Sequence, residues 1–413
     1  MLFRPSTRSA GKKAPPPNWE PSADKQRVGT MDLWTAGAAF CLLIIGLVMV
    51  YSASAPIALR NFGNASHYAL RNGIFSLLGL IGLVLISRQS ITSIRRAGQW
   101  GFWIIIMLLV VTLIPGVGLE GGGARRWINI GFATIQPSEP YKVILALYMA
   151  HILALNPARS RYFFAGIVPL FMLFGMGAAL LLAEPDFGAT MISAAIVFGI
   201  IFVSGIPLSW IIGLVVAAVP LAAAGVIMAP YRFRRVTSFL DPWDDPLDSD
   251  FQLVQSLLSF GNGGYTGTGL GQGQQKQFYL PESHTDFIFA VIGEELGLFW
   301  ILLIILLFAV LIWRALHIAR MADDRFVRLA STGLAVLLGA QSVANMGVVM
   351  GLLPPKGLTL PLVSYGGTSI IVTLGAIGLL LAFSRTLPVS DKPGFSFNKT
   401  GFSFKRPFSS RTS

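Results

Sequence analysis

The sequence predicts an all-α polytopic membrane protein: about ten transmembrane helices, both termini cytoplasmic, and a large extracytoplasmic loop between spans seven and eight. Three observations predict it. Hydrophobic residues make up 54% of the 413, and the mean hydropathy is +0.67. Charged residues are only 12%, about half the share that covers a soluble globular surface. The apolar residues come in continuous runs of roughly 20, enough at 1.5 Å each to cross about 30 Å of hydrocarbon. The runs lack the alternation of an outer-membrane barrel. A single cysteine, Cys41, excludes a disulfide scaffold.

The runs lie approximately at 33–53, 73–90, 102–117, 139–155, 163–182, 189–205, 208–228, 286–313, 329–350 and 364–384. Residues 1–31 precede them as a basic, proline-rich tail with the composition of a disordered segment, and 386–413 follow as a second basic tail. Ser52-Ala53-Ser54-Ala55 resembles a cleavage site, but the preceding run is long for a signal peptide, so span one reads as an uncleaved anchor. With a cytoplasmic N-terminus, the inner segments hold 21 of the 31 Lys and Arg residues, the positive-inside pattern. The net charge of +12 is therefore mainly an orientation signal and not a nucleic-acid footprint.

Between spans three and four, Gly121-Gly122-Gly123-Ala124-Arg125-Arg126-Trp127-Ile128 leads to Gln136-Pro137-Ser138-Glu139-Pro140-Tyr141-Lys142. Trp127 alone reads as an interfacial anchor. Lys142, inside the start of span four, either pairs with Glu139 or points at an anionic ligand. Spans five and six meet at Glu184-Pro185-Asp186-Phe187-Gly188, with two carboxylates at the junction.

The large loop, 229–285, carries Arg232, Arg234 and Arg235, then Asp241-Pro242-Trp243, then the glycine-rich stretch 261–273. That stretch is no nucleotide loop: no G-x-G-x-x-G frame closes and no Walker lysine follows. Its glycines make tight turns or bring backbone N–H groups to a ligand. The loop ends in Leu280-Pro281-Glu282-Ser283-His284-Thr285-Asp286-Phe287. Thr285 or Asp286 has the place of a helix N-cap. Glu294 and Glu295, roughly 12 Å further along a continuous helix, require a polar cavity or partners. Before the last span, Pro354, Pro355, Lys356, Gly357, Pro361, Ser364, Tyr365, Gly366 and Gly367 interrupt an apolar run, as broken backbone does when it lines a cavity. His67, His151, His284 and His317 share no metal-ligand spacing.

These segments, in this order, resemble the SEDS family over about residues 30–385. The residues that carry the resemblance are Arg126-Trp127-Ile128 with Gln136-Pro137-Ser138-Glu139 and Lys142; Glu184-Pro185-Asp186-Phe187-Gly188; Asp241-Pro242-Trp243; the glycine-rich stretch; Leu280-Pro281-Glu282 with His284-Thr285-Asp286-Phe287; Gly293-Glu294-Glu295-Leu296-Gly297; and Pro361-Leu362-Val363-Ser364-Tyr365-Gly366-Gly367. Gly351-Leu352-Leu353-Pro354 with Lys356-Gly357 looks more like the division branch than the elongation branch. Pro140-Tyr141, Asp248, Asp250 and Thr368 depart from the family's usual residues.

The resemblance implies a peptidoglycan glycosyltransferase in the bacterial inner membrane at the division septum. Its implied partners are lipid II, the growing glycan strand, a class B penicillin-binding transpeptidase and other division membrane proteins. Asp286 matches the family's catalytic aspartate. Pyrophosphate is a good leaving group, so one carboxylate base suffices for an inverting displacement. Arg126, Lys142 and Arg232 are expected to meet pyrophosphate charge. Trp127, Glu139, Glu184, Asp186, Glu282, His284, Lys356 and Ser364 complete the expected substrate-binding set. No cofactor is required; a Mg2+ or Mn2+ ion bridging pyrophosphate and a carboxylate is compatible with the chemistry. Two other readings fit parts of the pattern: a flippase for a lipid-linked precursor, and a non-catalytic division scaffold.

Overall fold

The computed structural model describes residues 31–121, 124–131, 133–155, 162–228, 251–277 and 280–387, with residues 157, 239, 243, 397–398 and 401–402 besides. Helices occupy every apolar run: α1 (Leu33–Phe62), α2 (His67–Ser87), α3 (Ile91–Thr112), α4 (Ser138–Leu155), α5 (Val168–Ala183), α6 (Phe187–Val203) and α7 (Leu208–Ile227). Within the large loop lies α8 (Phe251–Gly263), and after it come α9 (Ile288–Leu296), α10 (Leu298–Met321), α11 (Arg325–Val349) and α12 (Gly367–Ser384). Six of them (α1, α2, α3, α10, α11 and α12) are long and apolar enough to cross a membrane, and α5 and α6 are shorter apolar helices. The exposed leucines, isoleucines and tryptophans of α1, α2, α3 and α10 form the outward faces that a bilayer covers. α11 and α12 are the most enclosed spans, with α11 packed against α4, α6 and α10 and α12 against α2.

Four sequence expectations change. Several helices outrun their apolar stretches: α1 continues to Phe62, α2 starts at His67, α3 at Ile91 and α10 ends at Met321. Hydropathy sees only the part of a helix that meets lipid, whereas the backbone hydrogen-bond ladder continues into polar turns.

The chain is not wholly α. Antiparallel strands β1 (Gly118–Gly121), β2 (Ala124–Asn129) and β3 (Thr134–Ile135) build a small sheet between α3 and α4. Trp127 stands opposite Leu119, and Ile128 pairs with both Gly118 and Ile135. Strands of two to six residues leave too short a pattern to stand out beside 20-residue runs.

The large loop holds a helix, α8, whose Leu253, Val254, Ser256 and Ser259 are buried. The Ser256 hydroxyl donates to the Val349 carbonyl at the end of α11, at 2.6 Å.

Span eight is two helices. α9 and α10 part at Gly297, with φ +77° and ψ −172°, and Leu298 N donates to the Gly264 carbonyl at 3.0 Å. The glycine-rich segment crosses the break. The apolar run alone conceals it.

That crossing explains Glu294 and Glu295, which are 1% exposed. Their carboxylates do not line an open cavity. Glu294 accepts the Gln274 and Gln275 backbone N–H groups at 3.1–3.4 Å. Glu295 accepts Gly271 N at 2.9 Å, the Ser52 hydroxyl at 2.6 Å and the Lys276 ammonium at 2.6 Å. Lys276 also donates to Ser52 Oγ at 3.0 Å. Gly271 of the glycine-rich stretch, with Gln274 and Gln275 just after it, thus brings backbone N–H groups to the chain's own pair of carboxylates. Gly267, at φ +79°, lies where a Cβ would overlap the Glu295 carbonyl, so only glycine lets the segment pass this closely.

At the opposite end, Arg314 Nε and Nη2 donate to the two Asp32 carboxylate oxygens at 2.9 Å each. Asp32 N donates to Ser384 Oγ at 3.2 Å, and Arg385 Nη1 to the Ser87 carbonyl at 3.0 Å. The segments assigned to the basic side by charge meet there. In the C-terminal tail, Phe397–Asn398 pairs antiparallel with Gly401–Phe402.

Removing one partner of a buried ion pair strands the other, at about 3–5 kcal/mol. Glu295→Ala is expected to lose that much, read as a fall in thermal unfolding midpoint of the detergent-solubilised protein. Ser52→Ala should lose about 1 kcal/mol, the worth of a typical hydrogen bond.

Candidate functional site

The site begins on α11. Gln341 and Asn345, one helical turn apart and hence on one face, are 4% and 1% exposed. Gln341 Oε1 accepts the Lys142 ammonium of α4 at 3.1 Å, and its Nε2 donates to the Thr359 carbonyl at 3.2 Å. Asn345 Nδ2 donates to the Asp286 carbonyl at 2.8 Å and to the Leu358 carbonyl at 2.5 Å. Two neutral amides therefore gather α4, the segment before α9 and the interrupted backbone before α12. Neither was singled out in the sequence. The available signal was a pair of amides at i, i+4 in an apolar span, where polar side chains are costly unless partnered.

Asp286 is half-buried. A Cβ on Gly357 would lie 2.8 Å from its Oδ2, so the carboxylate rests against the loop that carries Lys356. The Lys356 ammonium sits 4.6 Å from the Phe187 ring centroid, and its Cε would lie 3.4 Å from a Cβ at Gly188. Three segments far apart in the chain, 184–188, 284–287 and 356–359, converge here.

Lys142 resolves its two alternatives toward pairing. Its Nζ donates to Glu139 Oε1 at 2.7 Å as well as to Gln341, with the lysine 1% exposed. Asp186 caps α6, accepting Ala189 N at 2.9 Å on Oδ1 and the Ser138 hydroxyl at 3.1 Å on Oδ2. It thereby ties the starts of α4 and α6 together. Ser364 accepts Leu360 N at 2.8 Å and closes its own turn. Arg126 Nε and Nη2 donate to the Glu184 and Pro185 carbonyls at 3.1 and 2.5 Å. Its guanidinium satisfies the carbonyl end of α5 and fastens β2 to the junction. Trp127 lies half-buried on β2. Glu282, exposed and at φ +53°, accepts the Thr285 hydroxyl at 2.7 Å. Arg232 lies outside the described residues.

His284, 9% exposed, packs its ring 4.9 Å from that of Tyr68 and 5.6 Å from that of Tyr365. Tyr365 N donates to its carbonyl at 3.0 Å. Burial lowers the His284 pKa, partly offset by the nearby Glu282 carboxylate. The Tyr68–His284–Tyr365 cluster continues through His67, stacked on Phe62 at 3.9 Å. This aromatic wall stands two residues from Asp286.

Glu184, between α5 and α6, is fully enclosed. Burial pushes its carboxyl up to about 7, and Asp186 adds to the rise; the Thr112 hydroxyl bonded to Oε1, and Arg126, pull it down. Among the described residues, no three His, Cys, Asp or Glu side chains gather as a metal cage.

Residues 33–388 match the family described as cell cycle protein, FtsW/RodA/SpoVE. The chain is 41% identical over 349 residues to a protein of Geobacter metallireducens named "Probable peptidoglycan glycosyltransferase FtsW", covering 84% of this chain and 93% of that one. A Methylococcus capsulatus protein of the same name is 44% identical over 342 residues, covering 82% and 86%. Among solved structures, the fold is similar at a TM-score of 0.71 to a chain described under "Structural coordination of polymerization and crosslinking by a peptidoglycan synthase complex". That chain is 30% identical, with 86% of this chain and 98% of that one covered. It is also similar to the rod shape determining protein RodA of Thermus thermophilus, at a TM-score of 0.62 and 27% identity, covering 86% and 97%.

The raised Glu184 pKa makes the fold less stable as pH rises. The folded chain holds a proton that the unfolded chain releases near 4.5, so the cost of ionising Glu184 in place appears as pH rises above that value and is complete above about 7. Between about pH 5 and 8 the wild type should therefore lose of order 1–3 kcal/mol relative to Glu184→Gln, measured as thermal unfolding midpoints of both proteins across that range.

Proposed function

The chain belongs to the cell cycle protein family of FtsW, RodA and SpoVE, and from that membership we propose that it polymerises lipid II into glycan strands, with Asp286 as the base. It is a multi-pass membrane protein and a peptidoglycan glycosyltransferase, the activity named for relatives about 40% identical over more than four-fifths of its length. The observation that carries the finer reading is the convergence on Asp286 of Lys356–Gly357, the Phe187–Gly188 junction and the aromatic wall at His284.

The acceptor sugar hydroxyl gives its proton to the Asp286 carboxylate as its oxygen attacks the anomeric carbon of the donor. The bond to undecaprenyl pyrophosphate breaks on the opposite face, so configuration inverts. Pyrophosphate leaves as a stable anion, and no second carboxylic acid is needed. Lys356 and Arg232 are the cations proposed to meet that anion. Lys142 and Arg126 support the site from beneath, since their own partners within the chain account for the bonds described above. Glu139, Glu184, Asp186 and Ser364 likewise act through the backbone and side chains they hold, whereas Trp127, Glu282 and His284 are proposed to face substrate. A Mg2+ or Mn2+ ion, if bound, would be held by an acidic residue and would offset pyrophosphate charge. The described side chains form no cage for it, and no step depends on it.

The reaction is proposed to take place at the outer leaflet of the bacterial inner membrane, at the septum, beside a class B penicillin-binding transpeptidase and other division proteins. Coupling to crosslinking is supported by the neighbour drawn from a peptidoglycan synthase complex. The flippase and scaffold readings separate from this one by experiment. The purified chain with its transpeptidase partner is given lipid II, and products are resolved on a gel beside Asp286→Asn. Wild type should yield polymer, and the variant about 100-fold less or below, the scale of a lost general base. Undiminished polymer from the variant removes Asp286 as base. Lipid crossing in vesicles without polymer points to a flippase.

A further inference from the structure

On the reading that Asp286 is the acting carboxylate, we propose that Asn345 is a positioning residue that sets this carboxylate against the Lys356–Gly357 loop. Both Nδ2 protons of Asn345 are spent on backbone carbonyls, one on Asp286 at 2.8 Å and one on Leu358 at 2.5 Å. A single amide thus pins together two segments 72 positions apart. The second pin between the same segments, Tyr365 N to the His284 carbonyl at 3.0 Å, lies on the far side of Asp286. Two pins, one to each side, fix both the separation and the tilt of the strip that presents the carboxylate.

The amide orientation is dictated by these bonds. A flipped amide would turn an oxygen toward two carbonyl oxygens and lose both contacts. In the observed orientation Asn345 Oδ1 is buried without a partner, a cost that the two donated bonds offset. The fit they maintain is tight, because a Cβ on Gly357 would already be 2.8 Å from Asp286 Oδ2. A displacement of about 1 Å at a reacting group can cost on the order of 100-fold in rate, so a pin removed from behind should act on the chemical step more than on substrate affinity.

The test compares steady-state lipid II polymerisation by the full chain, with its transpeptidase partner, for four variants normalised to folded protein. Asn345→Ala should lower kcat about 100-fold with KM within about threefold of wild type. Gly357→Ala, at an exposed position where Asn345 keeps both bonds, should lower kcat likewise with the thermal midpoint unchanged. Val343→Ala, on the exposed face of α11, should match wild type. Asn345→Ala at wild-type kcat, a loss confined to KM, or Gly357→Ala at wild-type kcat overturns the assignment. If Asn345→Ala fails to fold, Gly357→Ala decides. Asp286→Asn separates the two levels. An active Asp286→Asn enzyme overturns the reading of Asp286 itself, while an inactive one beside a fully active Asn345→Ala overturns only the role of Asn345.

Discussion

The Glu295 carboxylate is the point on which the motif-bearing end of the structure turns. Buried among α1, α9 and the glycine-rich segment, it accepts from Ser52, Lys276 and Gly271 at once. An anion removed from water is tolerable only when charge and lone pairs are both answered, and three separate parts of the chain must come together to do so. Once they have, α9 cannot continue straight into α10. The helix breaks at Gly297, and the segment before α9 is brought to the bundle surface with Asp286 on it. A costly buried charge thereby fixes where the proposed catalytic carboxylate stands.

The site itself follows a second economy. Most of its charged groups bond to the chain's own backbone or to one another: Lys142 to Glu139 and Gln341, Asp186 to the start of α6, Arg126 to the carbonyl end of α5. Such bonds make a rigid floor, which suits a displacement whose catalysis depends on geometry and electrostatics more than on many acid–base groups. The residues proposed to meet substrate are fewer than the charged motifs suggest, and they lie about Asp286, Lys356 and the aromatic wall of Tyr68, His284 and Tyr365.

The function and the membrane setting support one another. The lipid-linked donor of the proposed reaction would present its pyrophosphate at the bilayer surface, where the interrupted helices can approach it while the spans below remain apolar. The two ends of the bundle differ accordingly: one is closed by ion pairs and carbonyl contacts such as Arg314 with Asp32 and Arg385 with Ser87, and the other carries the motifs.

The sequence by itself determined the membrane class, the approximate place of the apolar runs, the family and the motifs around Asp286, because hydropathy and motif spacing are properties of contiguous residues. It also showed that Glu294 and Glu295 needed a polar cavity or partners and that Lys142 needed a partner or an anionic ligand, since desolvation cost depends only on residue type and depth. Which partners they found was a decision of the tertiary structure. Lys276 and Ser52 are 19 and 243 positions from Glu295, Gln341 is 199 from Lys142, and Asn345 is 59 from Asp286. The break at Gly297, the small sheet ahead of α4 and the ordering of α8 were equally hidden. Each depends on what a distant segment packs against it, and a one-dimensional pattern carries no record of that contact.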